Sequence, residues 1–564
     1  MGNLSLGVID IVILVVYLVG IIWYGIRKGR RDSSEDYFLA GRNMTWPIVG
    51  LSLLAANLGS NTLIGLSADA FQTNTAVYNY EWMAAVVLVF FAVFFMPFYL
   101  KSKVYTMPEF LERRYDARSR YYFSAITIVG NVIIDTATGL YASNLILRIV
   151  FPDIPSGVMI TLLAFAAAAY TIPGGLSSVV HTEVVQAVLL FAGSILLTYF
   201  TMSSVGGWDG MMAGLDAMHN QGTLAKPADE VFDMAGPIDD DYMPWTGLLF
   251  GVPLLGFYFW ANNQFMVQRV LSAKDLNHGR WGALAAGLMK IPIIFIMIVP
   301  GVIAIVLFSD LDISSLNFMI EKEGAMVVCS QLSDCPNMTY PVLIYNLLPT
   351  GILGLVIASL LAAMSSSISA TMNSASTLIT MDFVQKIKPD MTSKQLVRVG
   401  QIATFVLVML AAFWTQYIDK ISSSVWEYLQ MVLSFIAPPV VAVFILGLFW
   451  KRANANGAFA ALLTGLGLSV FVIVSKANGL IPWVNDLHFL HMGPMIMVTC
   501  MLVQAMVSLA SAAPSEEVVN TLTYNKRIFA EETAELSGVA WYKNYRILSV
   551  FLLITTAIVV AMFW

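Results

Sequence analysis

The sequence predicts an all-α polytopic membrane protein. Of its 564 residues, 58% are hydrophobic and only 12% are charged, which is more apolar surface than one soluble core can bury. The hydrophobic residues form long runs, and a helix needs about 20 of them to cross a bilayer. Because lipid cannot satisfy backbone hydrogen bonds, runs of this length are expected to be helices.

About fourteen transmembrane spans are predicted, joined mostly by short polar loops. The first has no basic segment before it and no small-residue cleavage site after it, so we interpret it as a retained helix and not as a signal peptide. The spans begin near Val8, Trp46, Tyr80, Tyr121, Gly157, Val180, Pro244, Gly282, Gly351, Val397, Ser424, Ala458, Gly493 and Ile547.

Basic residues predict the orientation of these spans. Cytoplasmic loops carry an excess of Lys and Arg, and here this excess falls on alternate loops, at residues 27–31, 101–120, 269–280, 386–398, 451–452 and 526–546. Both termini are therefore expected outside a plasma membrane, or in the periplasm if the host is a bacterium. The acidic loop at residues 204–243 is interpreted as a solvated external loop. No basic patch interleaved with aromatic residues suggests a nucleic-acid partner.

Cysteine usage is sparse. Cys329 and Cys335 share one polar loop, while Cys500 lies in an apolar span. Spacing alone leaves open whether the first two form a disulfide, which would require an oxidising compartment. Asn337 begins an Asn-Met-Thr sequence that is a glycosylation acceptor only in a secretory-pathway host. The cysteines suggest no metal cofactor.

Two spans are interrupted near their centres. Residues 54–62 of the second span and 253–264 of the seventh combine glycine or proline with polar side chains. Such a pair, in corresponding positions of two halves, is typical of inverted-repeat transporters with a site near the membrane midplane. We therefore expect two five-span repeats at residues 46–203 and 244–452. Residues 1–45 precede them, the loop at 204–243 separates them, and three spans follow in 453–564.

Four ionisable residues fall in or at the edge of apolar spans, where a charge is costly and suggests function. They are Glu81, Asp135, Glu183 and Lys290. Glu81 and Lys290 are chemically suited to hold a polyhydroxylated solute. The alternative is that they form an ion pair that merely neutralises two buried charges.

The ninth span is rich in hydroxyl groups. Helical spacing places Ala363, Ser366 and Ser367 on one face. Sodium prefers oxygen ligands, so these hydroxyls and free carbonyls of the interrupted second span would suit it. Close helix packing through small residues is the alternative, and the cluster alone favours packing.

Further candidates surround these positions. Tyr80, Phe259, Trp260 and Trp426 could stack on the apolar face of a sugar ring, although each taken singly is as readily explained by packing. Gln430 adds an amide donor and acceptor. No nucleophile–base pair or metal-ligand cluster accompanies them, so the sequence does not suggest an enzyme.

Several local motifs occur in the order seen in one family. The sequence resembles the sodium/glucose cotransporters, within the broader sodium:solute symporters, from about residue 8 to residue 564. The resemblance rests on residues 34–42 (SEDYFLAGR), 105–111 (YTMPEFL), 174–180 (GGLSSVV), 267–274 (VQRVLSAK), 373–377 (NSAST) and 447–452 (GLFWKR).

The resemblance implies a LeuT-type 5+5 inverted repeat that works by alternating access. It implies a sodium site between the second and ninth spans, which reverses the preference for packing. The ligands at the matching positions are the carbonyls of Ala55, Leu58 and Ala363 and the hydroxyls of Ser366 and Ser367. The implied sugar site matches at Asn57, Glu81, Trp260, Lys290 and Gln430, with Thr62, Tyr80 and Trp426 beside it.

The sequence also departs from its sugar-transporting relatives. Thr62 replaces a Gln or His, Gly256 replaces a polar residue, and Phe259 replaces the tyrosine of the inner gate. Phe259 can still stack as a lid, but it has no hydroxyl to bond Asn57. These departures leave the identity of the solute open.

A second sodium site, present in some relatives, is matched only in part. Glu183 replaces an Asp and Ser369 is retained, whereas Ala370 replaces a hydroxyl. The sequence therefore leaves one or two sodium ions per cycle open.

The expected function is sodium-coupled uptake of a glucose- or galactose-like sugar. One alternative is a sodium symporter for another polar solute, such as myo-inositol or sialic acid. A different class of function is a non-pumping sensor or channel with the same fold. The partners expected are sodium, a small polar solute and lipid, and the oligomeric state is open.

Overall fold

The computed structural model describes residues 6–316, 319–322, 325–418 and 425–563. Helices dominate it. In the first half of the chain they are α1 (Val8–Lys28), α2 (Ser34–Leu39), α3 (Trp46–Asn57), α4 (Ser60–Thr73), α5 (Tyr78–Phe90), α6 (Met96–Ser102), α7 (Met107–Arg114), α8 (Ala117–Gly130), α9 (Ala137–Val150), α10 (Ser156–Val205) and α11 (Gly207–Asn220).

The second half continues in the same way. Its helices are α12 (Trp245–Phe257), α13 (Gln264–Leu271), α14 (Leu276–Lys290), α15 (Val299–Phe308), α16 (Thr339–Leu347), α17 (Ile352–Leu378), α18 (Gln385–Ile387), α19 (Ser393–Thr415), α20 (Val425–Phe449), α21 (Ala455–Asn478), α22 (Pro482–Asn485), α23 (Phe489–Ala510), α24 (Glu516–Leu522), α25 (Lys526–Leu536) and α26 (Tyr545–Ala561). Wider π-helical turns lie at Phe91–Phe95, Asn131–Thr136, Tyr258–Asn262, Ile294–Ile298 and Ile379–Val384.

Among the described residues, nine helical segments are long and apolar enough to cross a membrane. Two further pairs pass the same test together, α3 with α4 and α14 with α15, which bend by 58° and 45°. The predicted multi-pass helical architecture is thus found. The count of fourteen spans, the repeat boundaries and the outward termini stay predictions. The predicted start of the eleventh span, near Ser424, lies outside the described residues.

Both predicted interruptions are present. In the second span α3 ends at Asn57, Leu58 adopts a non-helical ψ of 71°, and α4 begins at Ser60. In the seventh span a π-helical turn follows α12, and Asn263 is extended before α13 begins. Glycine and polar side chains, which loosen a helix, lie at both breaks. Each break frees backbone groups from the regular helical pattern.

The predicted fifth and sixth spans lie in one long helical stretch that is kinked at Gly175. They make up α10, which contains Pro173 and, two residues later, Gly175 with φ 59°. A side chain would be strained at this φ, and a Cβ there would also lie 2.4 Å from the carbonyl oxygen of Tyr37. Gly175 therefore marks the boundary predicted between the two spans, and α10 packs along α17 and α1.

The connection between the predicted eighth and ninth spans is not helical throughout. Strands β1 (Met319–Lys322) and β2 (Ala325–Val328) pair antiparallel, with Met319 opposite Val328. Cys329 and Cys335 form a disulfide just after them. The expectation of a purely helical chain therefore needs this small correction. A hairpin can form there because the loop lies outside the apolar runs that require helices.

Apolar side chains cover much of the outside of the protein. Val12, Val15, Val16 and Val19 of α1 are each more than half exposed, as expected of a helix that faces lipid. Four of the arginines used to predict the orientation are buried and lie in helices, including Arg114 in α7 and Arg120 in α8. Arg269 lies in α13 and Arg280 in α14, and both side chains are buried. That part of the loop assignment was wrong, because the guanidinium groups of Arg269 and Arg280 are paired with acids inside the fold.

Candidate substrate and ion site

One cavity lies where the two interrupted spans approach each other. Its volume is about 80 Å³, which is smaller than the roughly 300–1,000 Å³ typical of small-molecule sites. Its walls come from α3, α4, α5, α12, α13, α14, α17 and α20 and from two π-helical turns. All the predicted solute and gate residues line it: Asn57, Thr62, Tyr80, Glu81, Phe259, Trp260, Lys290, Trp426 and Gln430.

The two charged residues predicted for this site form an ion pair. Lys290 donates a hydrogen bond to Glu81, and their side chains are only 1% and 2% exposed. The Lys290 nitrogen also lies 5.8 Å from the ring centre of Trp260, within cation–π range. The ion-pair alternative is therefore what the structure shows. The pair nevertheless belongs to the cavity wall, so neutralising buried charge and meeting a solute are compatible roles.

Two polar atoms in the cavity wall are left without a partner. Within the described part of the chain, the Asn57 side-chain oxygen and the Trp426 indole nitrogen are buried and make no hydrogen bond. An unmatched buried polar atom costs about 1–3 kcal/mol. Both residues line the cavity, so a solute with hydroxyl groups could satisfy them. The Thr62 hydroxyl, in contrast, already donates to the Asn57 carbonyl at 3.0 Å.

Aromatic rings form the apolar part of the wall. Tyr80 and Trp426 meet edge to face with ring centres 5.9 Å apart. Phe259 packs in the same manner on Trp260 at 5.4 Å and on Phe265 at 5.5 Å. These contacts fix flat faces along the cavity, as a sugar ring would require. The role of Phe259 as an inner gate stays a prediction.

The proposed sodium ligands lie where α3 ends against α17. The Ser366 hydroxyl lies 2.8 Å from the carbonyl oxygens of both Ala55 and Ala363. Leu58 is the non-helical residue at the break, and Ser367 also lines the cavity. A Cβ on Gly59 would lie 2.9 Å from the Ser367 hydroxyl oxygen, so the break and the serine helix are in close contact.

The chemistry of this junction suits sodium. Its oxygens are neutral carbonyls and hydroxyls, which hard cations with little charge accept as ligands. No group of three or more His, Cys, Asp or Glu side chains that could hold a metal occurs in the described residues. The Ala55–Ser366 contact offers neutral oxygens of the kind that sodium accepts.

The residues considered for a second sodium have other partners. Glu183 is fully buried and pairs with Arg269 at 2.6 Å, and Ser52 donates a hydrogen bond to it. The Ser369 hydroxyl lies 2.6 Å from the Ser365 carbonyl of its own helix and 3.1 Å from the Tyr170 hydroxyl. None of these hydrogen bonds joins Glu183 to Ser369 in the described ranges. A second sodium site stays a prediction without a geometric argument in its favour.

Sequence reasoning did not assign three polar residues that line the cavity, Asn61, Asp135 and Thr371. Thr371 follows Ser367 by four residues, so the helical period could have found it. Asn61 stands in the interrupted stretch. Asp135 was recognised as an intramembrane acid, but nothing in its local sequence indicates which cavity it reaches.

Comparison with known proteins places these observations in a family. The model of the Sodium:solute symporter family matches residues 37–465. Sodium/glucose cotransporter 4 of Danio rerio is 33% identical, over 96% of this chain and 84% of its own length. Sodium/myo-inositol cotransporter 2 of Oryctolagus cuniculus is 32% identical, over 92% of this chain and 79% of its own length. The sodium/mannose cotransporter of Bos taurus is 33% identical, over 92% of this chain and 89% of its own length.

Solved structures share the fold. A sodium-coupled sialic acid symporter in a substrate-bound outward-open state gives a TM-score of 0.74 at 23% identity, over 90% of this chain and 99% of that one. Mhp1, a nucleobase-cation-symport-1 family transporter in a closed conformation, gives a TM-score of 0.52 at 13% identity. The match covers 87% of this chain and 98% of that one.

The helical fold is of the LeuT type, which these solved transporters share. The chain belongs to the sodium:solute symporter family. It is a sodium-coupled solute symporter and not an enzyme.

Proposed function

We propose that this protein couples inward sodium movement to the uptake of a sugar by alternating access. The observation that carries the proposal is the cavity, which combines an ion pair, unpartnered amide and indole groups and aromatic faces in one wall. The relatives named above are described as cotransporters of glucose, myo-inositol and mannose. These solutes share a ring that carries several hydroxyl groups.

Such a ring matches the wall chemically. Hydroxyl groups both donate and accept, so they can satisfy the Asn57 oxygen, the Trp426 nitrogen and the Gln430 amide. The Glu81–Lys290 pair offers a charged acceptor and a charged donor, which form the stronger kind of hydrogen bond. The C–H faces of the ring would lie against Tyr80 or Trp260.

We place the sodium ion between α3 and α17, with the carbonyls of Ala55, Leu58 and Ala363 and the hydroxyls of Ser366 and Ser367 as ligands. This placement is supported by the Ser366–Ala55 distance of 2.8 Å. It would couple ion to solute because Ser367 lines the solute cavity and α3 carries Asn57 at its end. Sodium bound at the break would hold Asn57 in place for the solute.

The driving force is sufficient for uptake against a gradient. One cation crossing 100 mV releases about 2.3 kcal/mol, and a tenfold sodium gradient adds about 1.4 kcal/mol. With one sodium per solute, the two together could sustain accumulation of about 500-fold. The protein would act in the plasma membrane, or in the inner membrane of a bacterium.

Uptake by purified protein in proteoliposomes tests the proposal. We expect labelled glucose, galactose, mannose or myo-inositol to accumulate above its outside concentration under an inward sodium gradient and not under a potassium gradient. The variant Ser366→Ala with Ser367→Ala should abolish the sodium dependence. Ser376→Ala is the matched control, because this buried serine of α17 bonds only the Asn373 carbonyl of its own helix.

Three results would count against the proposal. Sodium-dependent transport of only non-sugar solutes would refute the solute class. Unchanged sodium dependence in the double serine variant would refute the ion site. Equilibration without accumulation would instead support the channel or sensor alternative.

A further inference from the structure

Asp135 is an acidic residue of the cavity to which no role has been assigned. It lies in the π-helical turn Asn131–Thr136 between α8 and α9, and its side chain lines the solute cavity. In the described part of the chain, its carboxylate makes no hydrogen bond and no ion pair. The neighbouring polar groups do have partners, since Thr136 bonds Thr371 at 2.7 Å and Asn131 bonds Ser374 at 3.0 Å.

The charge of the cavity wall is unbalanced because of this residue. Three side chains of the Asp, Glu, Lys or Arg type line the described wall, namely Glu81, Lys290 and Asp135. Glu81 and Lys290 neutralise each other through their ion pair. An ionised Asp135 therefore leaves a net charge of about −1, and an isolated intramembrane charge is expected to serve a function.

The helix α9, which begins two residues after Asp135, packs against both sides of the proposed sodium site. On the side of the interrupted span, Ser60 donates a hydrogen bond to the Gly139 carbonyl at 2.8 Å. On the side of the serine helix, a Cβ on Gly139 would lie 3.6 Å from the Ser367 hydroxyl oxygen. A sodium ion bound there would bring positive charge close to Asp135, which favours the ionised carboxylate.

We propose that Asp135 is a specificity-determining residue that restricts the solute to uncharged polyols. It would accept hydrogen bonds from ring hydroxyls and exclude solutes that carry a carboxylate, so uronic and sialic acids would be poor substrates. This inference rests on the proposed function.

Physical chemistry supports both halves of this role. A carboxylate offers two oxygens and about four lone pairs, which suits two adjacent hydroxyl groups. A second carboxylate brought beside it repels it, because like charges held together in a binding site disfavour the complex. Exclusion of the wrong solute by an unfavourable charge is an established way to obtain specificity.

Competition by three matched sugars tests the inference. Wild-type protein in proteoliposomes would take up labelled glucose or myo-inositol, with glucose, glucuronamide and glucuronate as competitors. Glucuronamide has nearly the shape of glucuronate without its charge. We expect glucuronate to compete about tenfold more weakly than glucuronamide, or weaker still.

Variants at position 135 should change this ratio. In Asp135→Asn, the ratio of the half-inhibitory concentration of glucuronate to that of glucuronamide should fall at least about fivefold, because the repulsive charge is gone. Asp135→Glu keeps the charge and should keep the discrimination. Asp239→Asn removes the same charge from an exposed external residue and should leave the ratio unchanged. Asp135→Thr provides a second uncharged variant if the Asn variant does not fold.

The outcomes separate the inference from the function on which it rests. Absence of sodium-driven uptake of every neutral polyol by the wild type would refute the proposed function before any variant is measured. Normal uptake combined with equal discrimination in wild type, Asp135→Asn and Asp135→Thr would refute the role of Asp135 alone. Equal competition by glucuronate and glucuronamide in the wild type would refute it as well.

Discussion

Lys290 of α14 donates a hydrogen bond to Glu81 of α5 across the wall of the solute cavity. The two residues are 209 positions apart and come from the two predicted repeats. Their pairing therefore ties the two halves of the protein together at the point where a solute would bind. A solute that bonds either group must also change this connection, so the pair is suited to sense whether the cavity is occupied.

Removal of one member of the pair should harm both folding and transport. Glu81→Gln and Lys290→Met each leave an uncompensated buried charge or polar group, with an expected loss of about 3–5 kcal/mol of stability. The double variant Glu81→Leu with Lys290→Leu should regain most of that stability but no transport. Thermal unfolding in detergent and sodium-driven uptake measure the two effects separately. Transport by the double variant would show that the pair is only structural.

A second buried pair should behave differently. Glu183 and Arg269 are 0% exposed and do not line the solute cavity in the described residues. Glu183→Gln should cost about 3–5 kcal/mol of stability, while the ratio of sodium to solute flux stays the same in the protein that still folds. Arg269→Met is the matched variant. Parallel fluxes of labelled sodium and labelled solute give this ratio, and a loss of one sodium per cycle in Glu183→Gln would establish a second ion site there.

Many of the residues that line the cavity could be found from the sequence because their signals are local. The sequence shows a charged residue within an apolar run, such as Lys290, and a polar stretch within a span, such as the one around Asn57. Both signals can be recognised without knowing which residues they contact in the fold. Family resemblance then supplied which of these residues belong together. The structure finds all of them along one cavity.

The partners of buried charges could not be predicted in this way. The sequence predicts a basic loop at residues 269–280, because Arg269 follows an apolar span and Lys274 lies five residues further on. Only the fold shows that Arg269 reaches Glu183, 86 residues away. Asp135 is a similar case, since its place in the cavity depends on how α8 and α9 pack against α17.

Gly59 is expected to be essential for sodium binding. A Cβ at this position would lie 2.4 Å from the Asn61 side-chain oxygen and 2.9 Å from the Ser367 hydroxyl oxygen. Overpacking of this kind costs about 1–3 kcal/mol, so Gly59→Ala should raise the half-saturating sodium concentration about fivefold or more.

The matched control for Gly59→Ala is Gly467→Ala, because a Cβ on this glycine of α21 would meet nothing within 4 Å. It should leave sodium dependence unchanged and stabilise the helix slightly, by about 0.5–1 kcal/mol. The half-saturating sodium concentration of each variant is measured by titrating uptake with sodium. An unchanged titration for Gly59→Ala would argue against a sodium site at the break.

The helix α25 should contribute pH-dependent stability through Glu532. This carboxylate bonds Tyr545 at 2.6 Å and Arg546 at 2.9 Å and also pairs with Arg280. Burial raises the pKa of Glu532, but the Tyr545 hydrogen bond and the charges of Arg280 and Arg546 outweigh it and lower the pKa below its usual value.

A group with a lowered pKa stabilises the fold above its unfolded pKa, and this stability is lost as the pH falls through the folded value. Glu532→Gln should therefore unfold at a lower temperature than wild type near pH 7, and the difference should shrink below about pH 4. Glu535→Gln, at an exposed position of the same helix, should behave like wild type at each pH. Thermal unfolding over this range is the measurement, and a difference that persists in acid would point to packing instead of charge.

A substitution at Phe259 tests whether the side-chain oxygen of Asn57 can accept a hydrogen bond in the cavity. The Asn57 side-chain oxygen is buried without a partner in the described residues, and Phe259 lines the same cavity but cannot donate a hydrogen bond. Phe259→Tyr adds a hydroxyl that we expect to reach this oxygen and close the cavity over the solute. One net hydrogen bond is worth about 0.5–1.5 kcal/mol, so the apparent KM for the sugar should fall about two- to tenfold. Phe259→Leu, which removes the ring, should raise it. Combining Phe259→Tyr with Asn57→Ala should cancel the gain, and a gain that survives in the double variant would show that the hydroxyl acts on a different partner.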